Sequence, residues 1–256
     1  MKIIVAIKQV PERDAQVRIA ADGKWIEESD LQFALNESDA YALEEALQLK
    51  EKHGGEVIVI SAGPERVGQT IREALAKGAD RAIHIEAADL GALDALGVAK
   101  LLAAAIKPES PDLVLTGLQS DDLGLGQTGV ILAELLGVPY ASLILHVDAA
   151  DGALKVKREL EEGWFQSIEL SMPAVLTIQS GGNKLRYATL MGIKRAKTKE
   201  VKRVTAAELG LSSAAVVTLQ GIALPSKQRS TQILPGTAKE AAAALVEKLK
   251  FEVRVI

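Results

Sequence analysis

Five short aliphatic runs, at residues 3–7, 57–61, 81–85, 113–116 and 142–147, are separated by four segments of helical period at 38–53, 66–77, 93–106 and 127–136. Strand and helix taking turns in this way build βαβ units, and βαβ units build a parallel sheet covered by helices on both faces. The runs at 3–7, 57–61 and 113–116 are almost wholly apolar rather than alternating, as strands buried on two sides must be. Hydrophobic residues make up 48% of the chain but aromatics only 3%, so alanine, valine, leucine and isoleucine have to fill this interior. Stop signals agree with the period: Asn36 or Ser38 can cap the first long helix, Gly54-Gly55 ends it, and Gly78 and Gly137-Val138-Pro139 close later ones. The expected fold is α/β, with a mainly parallel, doubly wound sheet.

Two additions are expected on this frame. Asp22-Gly23 and Asp151-Gly152 are two-residue turn signals between β-prone runs, so each predicts a hairpin. Beyond the second, alternation through 165–170 and a buried strand at 174–178 predict an antiparallel extension, with the chain leaving its parallel pattern near residue 150. From Gly221 onward Pro225, Pro235 and the polar residues 226–232 read as an extended arm, closed by an amphipathic helix over 237–250. The expected division is therefore an α/β domain at 1–220, the part that the loop and the resemblance below make nucleotide-binding, and an arm with its helix at 221–256.

Several chemistries are disfavoured. The net charge of −4 argues against a general nucleic-acid binder, and the absence of cysteine removes disulfides, thiolate nucleophiles and cysteine metal sites. His53, His84 and His146 lie far apart without ligand spacing. The chain opens directly in a strand and has no apolar run of membrane-spanning length, which predicts a soluble cytoplasmic protein without membrane insertion.

The segment 112–133 runs from an aliphatic strand through a glycine-rich loop directly into a helix. Gly117, Gly124, Gly126 and Gly129 are expected to let the backbone turn and approach a ligand, and Gln127 and Thr128 to open a helix whose free amides favour an anion. Gly124-x-Gly126-x-x-Gly129, with Asp148 about twenty residues on, matches a dinucleotide fingerprint on paper. The loop is too long for that geometry, and it follows the fourth strand instead of the first. Ser180-Gly181-Gly182-Asn183-Lys184 faintly resembles a pyrophosphatase loop but lacks its Asp-Ser and its place after the first strand. A third reading is a nucleotide held across the carboxyl ends of adjacent strands, where ligands of open α/β sheets sit. Ala6 and Ala62 would leave room for an adenine, and Asn36 with the long loop would supply polar contacts.

Val5-Ala6-Ile7-Lys8, the run 36–46 (NESDAYALEEA), Ala79-Asp80-Arg81, the loop 117–129, Pro173-Ala174-Val175-Leu176-Thr177, the run 183–190 (NKLRYATL) and Ile193-Lys194-Arg195-Ala196-Lys197 occur in order over nearly the whole chain. Together they resemble the β subunit of electron-transfer flavoproteins. The resemblance implies a heterodimer with an α subunit carrying a redox FAD, and an adenine nucleotide on this chain: AMP, or a second FAD in electron-bifurcating members. It implies an electron carrier without catalytic residues or a metal, fed by a flavin-containing dehydrogenase and discharged by an acceptor such as a quinone oxidoreductase. The alternatives are a stand-alone adenine-nucleotide-binding regulatory protein of related fold, or an NAD-dependent dehydrogenase.

Carried over residue by residue, the implied nucleotide contacts are Ala6, Asn36, Glu37, Ser38, Asp39, Ala62, Gly117, Leu118, Gln119, Ser120, Asp121, Asp122, Leu123, Gly124, Leu125, Gly126, Gln127 and Thr128. The implied docking segment for the dehydrogenase is Tyr187, Ala188, Thr189, Leu190, Met191, Gly192, Ile193, Lys194 and Arg195, with Leu190 and Met191 as its apolar anchor. Lys194, Arg195, Lys197, Lys199, Lys202 and Arg203 form a basic stretch suited to steering an acidic partner. Some members place aromatic residues against the α-subunit flavin where this chain has Arg13 and Ser38. Trp164 is expected either to cover the partner surface or to close the local hairpin.

Overall fold

The computed structural model describes residues 1–87, 93–150, 152–210, 215–225 and 231–255. Asp151 of the second turn signal and residues 226–230 of the polar stretch lie outside them. The described residues form two compact units, Met1–Gln220 and Gly221–Ile256.

In the first unit the strands are β1 (Lys2–Ala6), β2 (Gln9–Pro11), β3 (Phe33–Leu35), β4 (Glu56–Gly63), β5 (Arg81–Glu86), β6 (Leu113–Gly117), β7 (Tyr140–Ala150), β8 (Ala153–Glu159), β9 (Phe165–Ser171), β10 (Ala174–Ile178) and β11 (Val201–Thr205). The helices are α1 (Glu37–His53), α2 (Gly68–Lys77), α3 (Ala95–Ile106), α4 (Thr128–Leu136) and α5 (Leu190–Ala196). Nine strands form one sheet in the order β11-β5-β4-β1-β6-β10-β7-β8-β9, parallel from β11 to β7 and antiparallel from β7 to β9.

The period of each strand follows its surroundings. In β1, Ile3 and Val5 pack under α1 and α2 with Val57, Val59, Leu113 and Leu115, while Ile4 faces α3 and α4 with Ile58, Ile60, Val114 and Val175. Each fully buried side chain of this kind stabilises the fold by about 1.5–3 kcal/mol. In β8 only Leu154 and Val156 are buried, because the antiparallel extension packs on one face.

The expected departure from parallel pairing near residue 150 is only an excursion. After β9 the chain returns as β10 between β6 and β7, parallel to both, and β11 later joins β5 at the far edge. The Asp22-Gly23 turn closes a minimal hairpin held by the single Ile19–Ile26 bridge, while β2 and β3 form a separate two-stranded ribbon. At the β8–β9 turn the backbone of Trp164 bonds to Leu160 and Glu161, so it closes the hairpin while its indole stays 70% exposed.

The second unit holds α6 (Ala238–Lys248), started by a capping box in which Thr237 and Glu240 satisfy each other's amides. Within its own unit no residue of α6 is buried, and Leu224, Ile233, Leu245, Val246, Phe251 and Val253 are exposed there. Among the described residues, no helix is long and apolar enough to cross a membrane.

Candidate functional site

Strand β1 lies between β4 and β6. The chain winds from β1 to β4 and β5 on one side, then crosses to β6 on the other. That reversal opens a crevice at the carboxyl ends of β1 and β6, the place where doubly wound sheets take ligands.

A polar bracket is built there from the first turn of α1. The Asp39 carboxylate accepts the Lys8 amide at 2.7 Å and the Gly117 amide at 2.8 Å, and so ties the ends of β1 and β6 together. Burial pushes its pKa up to about 7, against the lowering effect of those two amides, the Asn36 side chain and the nearby Lys8 charge. Asn36 occupies the N-cap position, yet its side chain does not cap α1. Its Nδ2 donates to the Gln119 carbonyl at 3.0 Å, and its Oδ1 accepts the Asp121 amide at 2.9 Å. Asp121 answers by accepting the Glu37 amide at 3.2 Å, while the Ser38 hydroxyl donates to Gln119 O at 2.7 Å. Lys8 Nζ lies 2.6 Å from Asp122 and 3.3 Å from Ser120 Oγ. The two aspartates of this loop are thus matched by a helix terminus and an ammonium, which removes their repulsion for an anion nearby.

The four glycines divide by role. Gly124 and Gly126 have φ of 61° and 64°, as the turn requires, with open space or only the Leu118 carbonyl near their α-hydrogens. A β-carbon at Gly117 would overlap Ser38 Oγ and Asp39 Oδ1; one at Gly129 would come within 2.5 Å of Thr177 Cγ2 and 2.6 Å of Thr116 Oγ1. These two admit helices to the sheet, so a packing role stands beside the turn role of Gly124 and Gly126.

Beyond the loop, α4 opens at Thr128 with Gln127 in helical conformation and no side-chain cap, so its first turn carries amides that no capping side chain satisfies. Thr116 and Thr177 are register partners beneath it, and Thr177 Oγ1 is buried without a hydrogen-bond partner. Ala6 and Ala62 face the α3 and α4 side, whereas Asn36, Ser38, Asp39 and Gly117 meet on the α1 side. Leu123 and Leu125 project from the loop as exposed aliphatics.

Of the residues selected from sequence, Asn36–Asp39 come together against residues 117–122, while Ala6 and Ala62 lie on the other face of the sheet. Lys8 escaped that selection, although its amide and ammonium both hold the bracket; its place directly after Val5-Ala6-Ile7, at the end of the first strand, was the available signal. Ser38 is buried behind the loop, with its hydroxyl on Gln119 O. Arg13 is 87% exposed at its side chain, 3.7 Å from Glu37.

The second candidate region is the segment of α5. Tyr187 is 92% and Leu190 81% exposed, with Met191 and Ile193 exposed beside them. Thr189 caps this helix by accepting the Gly192 amide at 3.0 Å. Gly192 abuts the Ala76 carbonyl at the end of α2 so closely that a β-carbon would overlap it. The basic stretch is divided: Lys199 Nζ binds the Leu75 and Ala79 carbonyls, and Arg203 in β11 pairs with Glu86.

The family model described as "Electron transfer flavoprotein domain" matches residues 24–209. The chain is 40% identical to "Electron transfer flavoprotein subunit beta" of Methylophilus methylotrophus over 257 aligned positions, covering 96% of this chain and 97% of that protein. It is 36% identical to the subunit of the same description from Bradyrhizobium diazoefficiens, covering 100% of both chains. It is 34% identical to that of Bos taurus, covering 98% of this chain and 97% of the relative. With a fold that carries its loop and bracket at the switch point, and with likeness running end to end, this chain belongs to the electron transfer flavoprotein family, among its β subunits.

Proposed function

We propose that this chain works in the cytoplasm as the β half of a heterodimeric carrier. The carrier takes electrons from a flavin-containing dehydrogenase and relays them, through FAD held mainly by the α subunit, to an acceptor such as a quinone oxidoreductase. The chain itself holds an adenine nucleotide, AMP or a second FAD, in the crevice at the carboxyl ends of β1 and β6. The observation that carries this reading is the bracket: the loop's aspartates are already matched by Lys8 and by α1, which leaves the uncapped first turn of α4 for a phosphate. The small side chains Ala6 and Ala62 give an adenine room on the same side of the sheet as α4. When bound, FAD supplies the redox chemistry; the residues of the bracket and loop bind and orient, and none is assigned a proton transfer or a covalent step.

The arm and α6 clasp the α subunit in this reading, since Leu224, Ile233, Phe251 and Val253 find no cover among the described residues of their own unit. The segment Tyr187–Arg195 docks on the dehydrogenase, with Leu190 and Met191 as anchor. Removal of residues 221–256 tests the clasp. Loss of co-purification with the α subunit is the expected outcome, and undiminished assembly refutes it.

A further inference from the structure

The family function leaves two buried carboxylates on α1 without a role. Glu44 and Glu45 are 5% and 3% exposed, and a carboxylate is taken from water at a cost unless something specific compensates it. Here the compensation comes from the irregular stretch between β10 and α5. Arg186 lays one edge of its guanidinium on Glu44, with Nε–Oε2 at 2.7 Å and Nη2–Oε1 at 3.0 Å, and donates its own backbone amide to Oε2 at 3.3 Å. Its remaining donors reach Glu51 at 2.6 and 3.2 Å. Glu44 and Glu51 are seven residues apart, two helical turns, so they stand on one face of α1 and grip a single planar fork. Glu45 Oε2 accepts Asn183 Nδ2 at 2.9 Å, while Oε1 accepts the Val147 amide at 2.9 Å.

These fasteners end at residue 186, directly before Tyr187. A second fastener follows α5, where Lys199 bonds to the Leu75 carbonyl in the last turn of α2 and to the Ala79 carbonyl just beyond it. Between them the segment touches the core through small residues only, Ala188, Gly192 against the Ala76 carbonyl, and the buried Ala196. The polar contacts on either side add to these in setting the place of its exposed side chains.

We propose that Glu44 and Glu45 of α1, through Arg186 and Asn183, are positioning residues that hold the exposed segment 187–195 in the pose its protein partner recognises. The inference rests on reading that segment as the dehydrogenase-docking surface. Helix α1 then serves twice, its first turn bracketing the nucleotide loop and its middle bracing the docking segment.

The test uses the heterodimer with Arg186→Gln, Arg186→Lys, Glu44→Gln and, as a surface control, Leu190→Ala. Amide hydrogen exchange of residues 187–196 is measured first. Steady-state reduction follows, with a flavin dehydrogenase that reduces the wild-type complex. In Arg186→Gln and Glu44→Gln, exchange in the segment is expected to rise about tenfold or more, as local opening replaces charge-assisted bonds. KM for the carrier should rise with kcat nearly unchanged, because a misplaced surface weakens encounter and leaves the flavins alone. Arg186→Lys, which keeps the charge without the fork, should restore part of the KM and part of the protection. It also serves as the informative variant if Arg186→Gln does not fold. Unchanged exchange in all three Arg186 and Glu44 variants overturns the brace. Raised exchange with unchanged KM, where Leu190→Ala does raise KM, overturns the positioning role but keeps the docking reading. Unchanged KM in Leu190→Ala removes the docking reading itself, and the positioning role with it.

Discussion

Gly117→Ala separates two accounts of the glycine-rich loop. If Gly117 serves a ligand's approach, alanine should weaken nucleotide binding and leave the protein's own stability nearly intact. The structure predicts the opposite order of effects. The new methyl group falls on Ser38 Oγ and Asp39 Oδ1 and lies 2.8 Å from the Asp39 amide, so the first turn of α1 must move away from β6. Overpacking of this kind costs about 1–3 kcal/mol. At pH 8, where Asp39 is ionised, displacing it also lengthens its 2.8 Å bond from the Gly117 amide, a charge-assisted bond worth about 1.5–3 kcal/mol. The sum is about 2.5–6 kcal/mol. For a protein of this size each kcal/mol lowers the melting temperature by about 2–4 °C, so a fall of roughly 5–24 °C is expected. Gly124→Ala is the control, since nothing lies within 4 Å of its added carbon and only its φ of 61° is strained, at about 1–2 kcal/mol. Thermal and urea unfolding of the nucleotide-stripped complex, with the α subunit held constant, measures both. A Gly117→Ala loss below that of Gly124→Ala refutes the packing argument.

Three further outcomes follow from the site. Asp39 has a folded pKa of about 7 against an ordinary 3.8, so the folded chain holds a proton there that the unfolded chain has released. Stability should therefore fall as pH rises between those values, by at most about 4 kcal/mol, and be flat above them; urea midpoints at pH 5 and pH 8 should show this slope in the wild type and not in Asp39→Asn. Thr177→Val should be neutral or stabilising by about 1 kcal/mol in the stripped complex, because its hydroxyl is buried without a partner, and a clear loss of stability contradicts this. Arg13→Ala should make the flavin harder to reduce, since its exposed side chain has only the weak Glu37 pairing at 3.7 Å. The expected shift is at most about 1 kcal/mol, or about 40 mV per electron, and an unchanged midpoint potential in spectroelectrochemistry removes Arg13 from the flavin's surroundings.

What the sequence revealed follows the range of the forces involved. The βαβ alternation is local, so β1, β4, β5 and β6 and the first four helices stand where their period placed them. The return of β10 into the parallel core is a pairing between distant segments, and nothing in Ala174–Ile178 alone names β6 and β7 as its neighbours. β11 escaped notice because Lys202 and Arg203 resemble a solvated linker, although charge is common on edge strands. At the site, turn glycines were legible because positive φ leaves a compositional mark. Gly117 and Gly129 were not distinguished from them, since their reason lies in helices packed from elsewhere in the chain. Nothing local to Glu44 and Glu45 marks them as buried, and only the fold brings Arg186 and Asn183 onto them.

The central claim is that the bracketed crevice holds an adenine nucleotide while the α subunit carries the redox FAD. Co-expression with the α subunit, denaturation of the purified complex, and counting of released FAD and AMP by chromatography and mass spectrometry address it most directly. The account predicts two adenine nucleotides per heterodimer, with the second lost on Gly129→Val, which blocks the first turn of α4 against Thr116 and Thr177. One FAD with one AMP identifies a simple carrier, and two FAD identify the bifurcating form. A single FAD with no second nucleotide contradicts the account.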